Sequence, residues 1–301
     1  ARTNGFSYHQ AHRSLKKFTD TYVTTILNYI GNEDAVLFEL TAKTTKGFLK
    51  DFLQDVRSGG SYEKQMKKYT NVDPATGTRF FQKGPIGQPD HETKLAAVSA
   101  QRENEIRSVF TATQYGATMM KLGWAVKEWD DDFFTVVDVA ARIGSGVGSA
   151  GVDRYYVLLK GTDDLLDPLE SKKDRTPIVL DVKYEPHGAV TQVLTPAEMA
   201  WYEIMFPNAA ARAVEGQRKL TSYTDPYTGW VLLPDSNQVL QPFTVRQRSP
   251  WKESPDLNKL TDPHEFTEFM ELVAVATATS HVRGTVSKKP GDFKHVVRAL
   301  L

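Results

Sequence analysis

The chain has 301 residues, enough for one large domain or two smaller ones around a substantial core. Its 37 Lys and Arg residues balance its 37 Asp and Glu residues, which excludes a global charge that would recruit nucleic acid or an anionic membrane surface. The absence of cysteine excludes disulfides, thiolate catalysis and cysteine-ligated zinc. The sequence also lacks the run of about 18 apolar residues that a membrane span needs.

The chain begins with Ala-Arg-Thr rather than Met and has no apolar signal segment there, so we expect a processing, cloning or proteolytic boundary. None of its eight asparagines begins an Asn-x-Ser/Thr sequence for N-glycosylation. These features favour a cytoplasmic location, although a secreted bacterial protein would share them.

The first part of the chain is predicted to be mostly helical. Apolar residues recur at helical spacing within 8–30 and again within 36–57. Residues 58–92 have the Gly, Pro and Asp content of an irregular connection, with one short strand expected at Thr78–Gln82. A long helix or helix pair is then expected from about Glu92 to Trp129.

The pattern changes to that of β-strands from Phe133 onward. Three apolar runs, FFTVVDVAARI, RYYVLLKG and PIVLDVKYE, are rich in Val and Tyr and are separated by Gly and Asp-Pro breaks. A helix is then predicted to begin after Thr195, because Pro196 suits the first helical position and Glu198 completes a capping box.

The last third of the sequence predicts a further helix at 207–222, a strand pair GWVLLP and PFTVRQR, and a final helix that begins at Asp262-Pro263. The order β-β-β-α-α-β-β-α is typical of an α+β fold. We therefore expect a mainly helical region over 1–130 and, over 131–301, an antiparallel-sheet lobe with helices on one side.

The segment Arg142 to Gly161, RIGSGVGSAGVDRYYVLLKG, contains the closely spaced glycines Gly144, Gly146, Gly148 and Gly151. The letters GVGSAG fit the dinucleotide fingerprint, but that fold requires a helix after the loop, where a strand is predicted. Two interpretations remain. The hairpin either presents backbone N–H groups to nucleotide phosphates, or is a plain turn whose glycines supply positive φ.

Lys183 lies inside the next apolar strand, IVLDVKYE. A lysine in such a strand either faces solvent or, in a kinase-like small lobe, holds the α- and β-phosphates of ATP. A helical glutamate would then orient this lysine, and Glu198, Glu203 and Glu215 are the candidates. Glu215 is favoured over Glu198, because capping already occupies Glu198.

The ordered series of segments resembles the DUF2252 family of uncharacterised proteins. The segments are RIGSGVGSAGVDRYYVLLKG, IVLDVKYE, AVEGQRKLTSYTDPYTGW, FTVRQRSPWKES and VATATSHVRGT. The resemblance covers roughly Val137 to Thr285, and a helical region over 1–130 is consistent with the middle region of that family.

The resemblance implies an aminoglycoside-phosphotransferase-type kinase with circularly permuted motif order, a kinase-small-lobe-like sheet, and ATP with Mg²⁺ as cofactors. Arg246 has two interpretations of equal weight. It would lie where such a lobe passes into its hinge, or it would form an ion pair with a carboxylate. The residues expected to contact the nucleotide are Gly144, Ser145, Gly146, Gly148, Ser149, Gly151, Lys183, Arg246 and Gln247, with Lys183 and Glu215 as the catalytic pair.

The family also has GDxHxxNFG-like and DFD-like motifs that resemble a kinase catalytic loop and metal-binding Asp. Neither is present here, where the only Gly-Asp pair is Gly291-Asp292. We therefore expect the chain to be the C-terminal portion of the family, with an N-terminal region missing or supplied by a companion chain. The alternative function is a non-catalytic scaffold or regulatory module that binds a partner and exposes an apolar face.

Two other features have a functional and a structural interpretation. Asp130-Asp131-Asp132 has oxygen ligands for a divalent cation but is more typical of a solvated turn, so no metal site is predicted. His281 near the end of the last helix would contact a phosphate, or would stabilise the negative end of the helix dipole.

Overall fold

The structure is a computed structural model and describes residues 2–119, 132–144, 151–161 and 177–284. These residues form an α+β fold, as predicted. Its α-helices are α1 (Tyr8–Asn28), α2 (Asp34–Leu37), α3 (Gly47–Gly59), α4 (Tyr62–Tyr69), α5 (Ala100–Val109), α6 (Tyr115–Thr118), α7 (Pro196–Met205), α8 (Ala209–Leu220) and α9 (Pro263–Arg283). Its strands are β1 (Thr70–Val72), β2 (Arg79–Phe81), β3 (Leu95–Ala96), β4 (Val136–Arg142), β5 (Arg154–Leu159), β6 (Ile178–Tyr184), β7 (Gly229–Pro234) and β8 (Leu240–Gln247).

The chain divides into two compact units. We call Ala1–Gly60, Gly216–Thr224 and Trp251–Leu301 the helical unit, and Ser61–Glu215 and Asp225–Pro250 the sheet unit. This division differs from the expected boundary at residue 130. The physical reason is that α4, β2, β3, α5 and α6 supply side chains or hydrogen bonds to the sheet, so they belong with it.

The helical unit is held together by α1 and α9. Between these helices, the Ser14 and Thr267 hydroxyl oxygens are 2.8 Å apart, and the buried Tyr29 and Thr279 hydroxyl oxygens are 2.7 Å apart. Ile26 of α1 packs in the same apolar cluster as residues of α9. Contact with α9 thus accounts for part of the amphipathic pattern over 8–30: Ile26 is buried, whereas Leu15 and Leu27 remain exposed.

The sheet unit is built on six antiparallel strands in the order β3-β4-β5-β6-β8-β7. Side chains alternate between the two faces of a strand. On the first face, Leu180 and Val182 pack in a cluster with α5 and α6, including the fully buried Ile106. On the second face, Val179 packs with Met66 of α4 and with β2. Helices therefore contact both faces of the sheet, whereas the sequence predicted helices on one face only.

Burial of both faces explains the composition of the central strands. A strand that faces solvent on one side alternates apolar and polar residues, whereas a doubly covered strand is apolar throughout. In β6, the first five residues are all buried, and in β5 the last five are. This is why RYYVLLKG and PIVLDVKYE were recognisable as strands from the sequence.

The expected long helix or helix pair over 92–129 is shorter and broken in the described residues. Lys94 has a positive φ of 59°, residues 95–96 form strand β3, and only Ala100–Val109 and Tyr115–Thr118 are helical. The Ser99 side chain accepts a hydrogen bond from the Arg102 N–H and so begins α5. Local capping and pairing with β4 thus override the helical pattern.

Residues 36–57 form two helices rather than the single one predicted. Between α2 and α3, Thr44 donates its hydroxyl to the Glu39 carbonyl, and the Thr45 hydroxyl donates to the Thr41 carbonyl. Threonine side chains that bond nearby backbone groups compete with helix formation. By contrast, the predicted short strand at Thr78–Gln82 is confirmed as β2.

The second half of the chain follows the prediction closely. Strands β4 to β8 and helices α7 to α9 occur in the predicted order. The capping box at α7 is confirmed: the Thr195 Oγ1 accepts from the Glu198 N–H at 3.3 Å, and the Glu198 carboxylate accepts from the Thr195 N–H at 2.8 Å.

Candidate functional site

The glycine-rich segment connects two neighbouring antiparallel strands, β4 and β5, with Ala141 paired to Tyr155. A strand rather than a helix follows it, so the dinucleotide-binding interpretation is excluded, as expected. Gly144 and Gly151 have φ of +73° and +75°, which favours glycine at both positions. Ser145, Gly146, Gly148 and Ser149 lie outside the described residues.

Lys183 lies beside the base of this hairpin. In the sheet register, Lys183 on β6 is paired with Arg154 on β5 and with Thr244 on β8. Arg154 follows Gly151 by three residues, and the Tyr184 N–H donates to the Asp153 carbonyl at 2.9 Å. The lysine and the glycine hairpin, which are far apart in sequence, are therefore neighbours in the sheet.

A buried ion pair lies on the same face as Lys183. The Arg154 guanidinium donates from Nε and from Nη2 to the two carboxylate oxygens of Asp181, each at 2.6 Å. The Asp181 side chain is 2% exposed and that of Arg154 is 13% exposed. Hydrogen bonding to Asp181 raises the pKa of Arg154. This fork-to-fork geometry fixes both side chains.

Arg246 approaches the same carboxylate from the other neighbouring strand. It is paired with Asp181 in the register of β6 and β8, and its Nη2 lies 3.5 Å from Asp181 Oδ2. Because Asp181 and Lys183 are two residues apart, all four side chains lie on the second face. We call Arg154, Lys183 and Arg246 the cationic face; together with Asp181 these side chains carry a net charge of about +2.

Aromatic rings lie next to the cationic face. The Arg154 guanidinium carbon lies 6.0 Å from the ring centre of Tyr156, which packs edge-on against Tyr69 at 5.6 Å. The guanidinium of Arg248 lies 5.9 Å from the ring of Tyr69. Burial raises the pKa of Tyr156.

One other predicted residue, Gln247, lies apart from this cluster. Gln247 points to the opposite side of β8 from Arg246; its N–H donates to Asp225 at 2.5 Å and its amide donates to the Tyr62 hydroxyl at 2.9 Å. Asp225 is half-buried, and the loss of solvation raises its pKa. Gln247 thus helps to fasten the loop before β7.

Glu215 lies on α8, and the Lys183 ammonium forms no ion pair with any described residue. The predicted Lys183–Glu215 pair is therefore not formed here, and the catalytic assignment of both residues stays a prediction.

The remaining candidates from the sequence, His281 and Asp132, contact residues of their own unit. In the helical unit, the Tyr22 hydroxyl lies 2.7 Å from His281 Nδ1. Asp132 binds Lys160 at 3.0 Å, whereas Asp130 and Asp131 are outside the described residues. Within the part of the chain that the structure describes, no group of three or more His, Asp or Glu residues could hold a metal ion, and no helix is long and apolar enough to cross a membrane.

Sequence reasoning missed Arg154 and Asp181 as members of the site. One signal was available, because Asp181 and Lys183 occur at i and i+2 in an otherwise apolar strand and so share a face. An acid inside such a strand needs a basic partner if both faces are covered. The identity of that partner depends on the register between strands, which the sequence did not reveal.

Comparison with known proteins gives the family of the chain. The profile of the family DUF2252, described as "Uncharacterized protein conserved in bacteria", matches residues 1–298, and the chain therefore belongs to this family. No curated protein and no solved structure matches it. The match extends well beyond Val137–Thr285. It supports neither the expectation that the chain is only the C-terminal portion of the family nor that of a missing region or companion chain.

Replacement of Asp181 tests whether this carboxylate holds the second face together. We expect Asp181→Asn to lower the free energy of unfolding by about 3 kcal/mol, because it leaves Arg154 with a neutral partner in a buried position. Urea denaturation measures this change. The control is Asp153→Asn on the edge of the same hairpin, where the side chain is 63% exposed and a change within about 0.5 kcal/mol is expected. Equal effects of the two substitutions would contradict the buried-pair interpretation.

Proposed function

We propose that this protein binds the phosphate groups of ATP on the cationic face beside the glycine hairpin, as part of an ATP-dependent phosphotransferase of kinase-like type. The observation that carries the proposal is the pairing of Lys183 with Arg154, three residues after Gly151. It brings a lysine, an arginine and a glycine hairpin to one end of one sheet, which are the groups that phosphate sites use.

Electrostatics support an anionic ligand at this position. Arg154 and Arg246 approach the Asp181 carboxylate, and Lys183 lies two residues further along β6 without an ion pair to any described residue, so these four side chains together keep excess positive charge. Strands lie about 4.8 Å apart, so cations on successive strands can contact an extended polyphosphate at several points. Asp181 contributes indirectly, because it orients the two arginines and reduces their mutual repulsion.

The backbone conformation of the glycines also supports the proposal. At Gly144 and Gly151 the backbone adopts a conformation that other residues rarely adopt, and no described atom lies within 4 Å of the position where a side chain would begin. Open backbone of this kind can approach a phosphate closely. In the proposal, Ser145, Gly146, Gly148 and Ser149 contribute to the same loop.

The described residues fit the phosphate groups of ATP better than its metal ion. Asp181 is engaged by Arg154 at both oxygens and so is unsuited to Mg²⁺. We assign the phosphates to the cationic face and assign no described residue to Mg²⁺. Kinase-like chemistry and a permuted motif order enter the proposal through the family resemblance, and use of ATP makes a cytoplasmic location part of it.

Substitution of Lys183 tests the proposal. We expect Lys183→Ala to weaken the binding of ATP, in the presence of Mg²⁺, by about tenfold or more, because a charge-assisted hydrogen bond to phosphate is lost. Isothermal titration calorimetry measures the dissociation constants. The matched control is Lys160→Ala, since Lys160 lies just past the opposite end of β5 and pairs with Asp132.

The control variant is expected to bind ATP like the unaltered protein. Two results would contradict the proposal: equal affinity of both variants for ATP, or failure of the unaltered protein to bind ATP at all.

A second candidate function, partner binding, is favoured by the surface of α7. Trp201, Ile204 and Met205 occur at i, i+3 and i+4 and are 61%, 83% and 52% exposed. Val193, just before this helix, is 80% exposed. Exposed apolar side chains that are grouped on one helix face are typical of interaction surfaces.

A double substitution on α7 tests this second function, with self-association as its simplest form. If the helix binds a second copy of the chain, Trp201→Ser combined with Ile204→Ser converts a dimer to a monomer in sedimentation experiments. Leu37→Ser, which removes an equally exposed apolar side chain elsewhere, leaves the dimer intact. A monomeric unaltered protein would exclude self-association through α7.

A further inference from the structure

The helical unit contains a cavity of about 520 Å³, and no residue of the cationic face lines it. Three segments of this unit line it: residues 38–40, residues 220–223 and the last turns of α9. This volume lies within the range of about 300–1,000 Å³ that small-molecule sites occupy.

Arg283 brings a positive charge to this cavity and forms no close ion pair with a described carboxylate, although the Glu39 charge acts on it at longer range. Its Nε donates to the Ala35 carbonyl at 2.5 Å, and its Nη2 donates to the carbonyls of Val36 and Phe38. These acceptors are neutral, and the two N–H groups of Nη1 have no acceptor among the described residues. Burial lowers the pKa of Arg283. An anionic group bound at Nη1 would offset the cost of this desolvated charge.

Glu39 provides a negative charge on the same cavity wall. It is exposed, and its carboxylate accepts a long hydrogen bond of 3.5 Å from the Ser222 hydroxyl. Glu39 and Arg283 both line the cavity without forming an ion pair with each other. The Ser280 hydroxyl, which also lines it, has no hydrogen bond to any described residue. The cavity thus offers one anion, one cation and a free hydroxyl.

Apolar side chains also line the cavity. Phe38, Leu40 and Leu220 contribute apolar surface to the lining. A ligand that matches the whole cavity therefore has an anionic end, a cationic end and an apolar body. Free amino acids and dipeptides with apolar side chains have this chemistry.

We propose that this cavity binds a zwitterionic amino acid or dipeptide, with the carboxylate at Arg283, the ammonium at Glu39 and an apolar side chain against Phe38, Leu40 and Leu220. The site is independent of the proposed nucleotide site.

Calorimetric titration with L-leucine and L-leucyl-L-leucine tests the proposal. At least one of them is expected to bind, whereas N-acetyl-L-leucine, which lacks the ammonium, and L-leucinamide, which lacks the carboxylate, are each expected to bind about tenfold more weakly or not at all. We expect Glu39→Gln to weaken binding of the zwitterion by a similar factor. Because Glu39 is exposed, this substitution is not expected to unfold the protein.

The matched control is Glu33→Gln, an exposed glutamate in the same unit that does not line the cavity. It is expected to leave binding unchanged. Absence of binding by both zwitterions would overturn the proposal. It would equally be overturned by acetylated leucine binding as tightly as leucine, or by Glu39→Gln and Glu33→Gln having the same effect. None of these three results depends on whether ATP binds.

Discussion

The buried carboxylate of Asp181 is the interaction on which the arrangement of the second face depends. A charged carboxylate that is 2% exposed is stable only if its partners compensate for the water that it has lost. Arg154 supplies two hydrogen bonds from β5, and Arg246 approaches from β8. One anion therefore fixes Arg154 on one side of β6 and attracts Arg246, which is 47% exposed, on the other. As a result, three cations can be grouped next to the hairpin within an otherwise apolar sheet.

Much of the fold was predictable because burial leaves a regular pattern in the sequence. The doubly covered strands β5 and β6 are nearly continuous apolar runs, and α7 begins with a capping box that local chemistry alone determines. Within the described residues, the misjudged part was 92–119, where the two-residue strand β3 is defined by its pairing with β4 and not by any local propensity. Very short strands of this kind depend on distant partners, so a single sequence does not reveal them.

The candidate site was predictable only in part, for a related reason. Lys183 and the positive-φ glycines Gly144 and Gly151 were identified, because strand order and glycine content are local properties of the sequence. Arg154 joins the site through the register of β5 and β6, which is set by the whole sheet. The same limitation affects Gln247, which follows Arg246 directly but faces the opposite side of β8. Adjacent side chains of a strand point to opposite faces of the sheet, so Arg246 and Gln247 do not contact the same ligand.

The central claim is that the cationic face binds the phosphates of a nucleotide. A crystal structure of the protein grown with ATP and Mg²⁺ tests it most directly. The account predicts phosphate oxygens within about 3.2 Å of the Lys183 ammonium and of the guanidinium of Arg154 or Arg246, beneath the glycine hairpin. Nucleotide bound at another position, with no phosphate in contact with the cationic face, would contradict it.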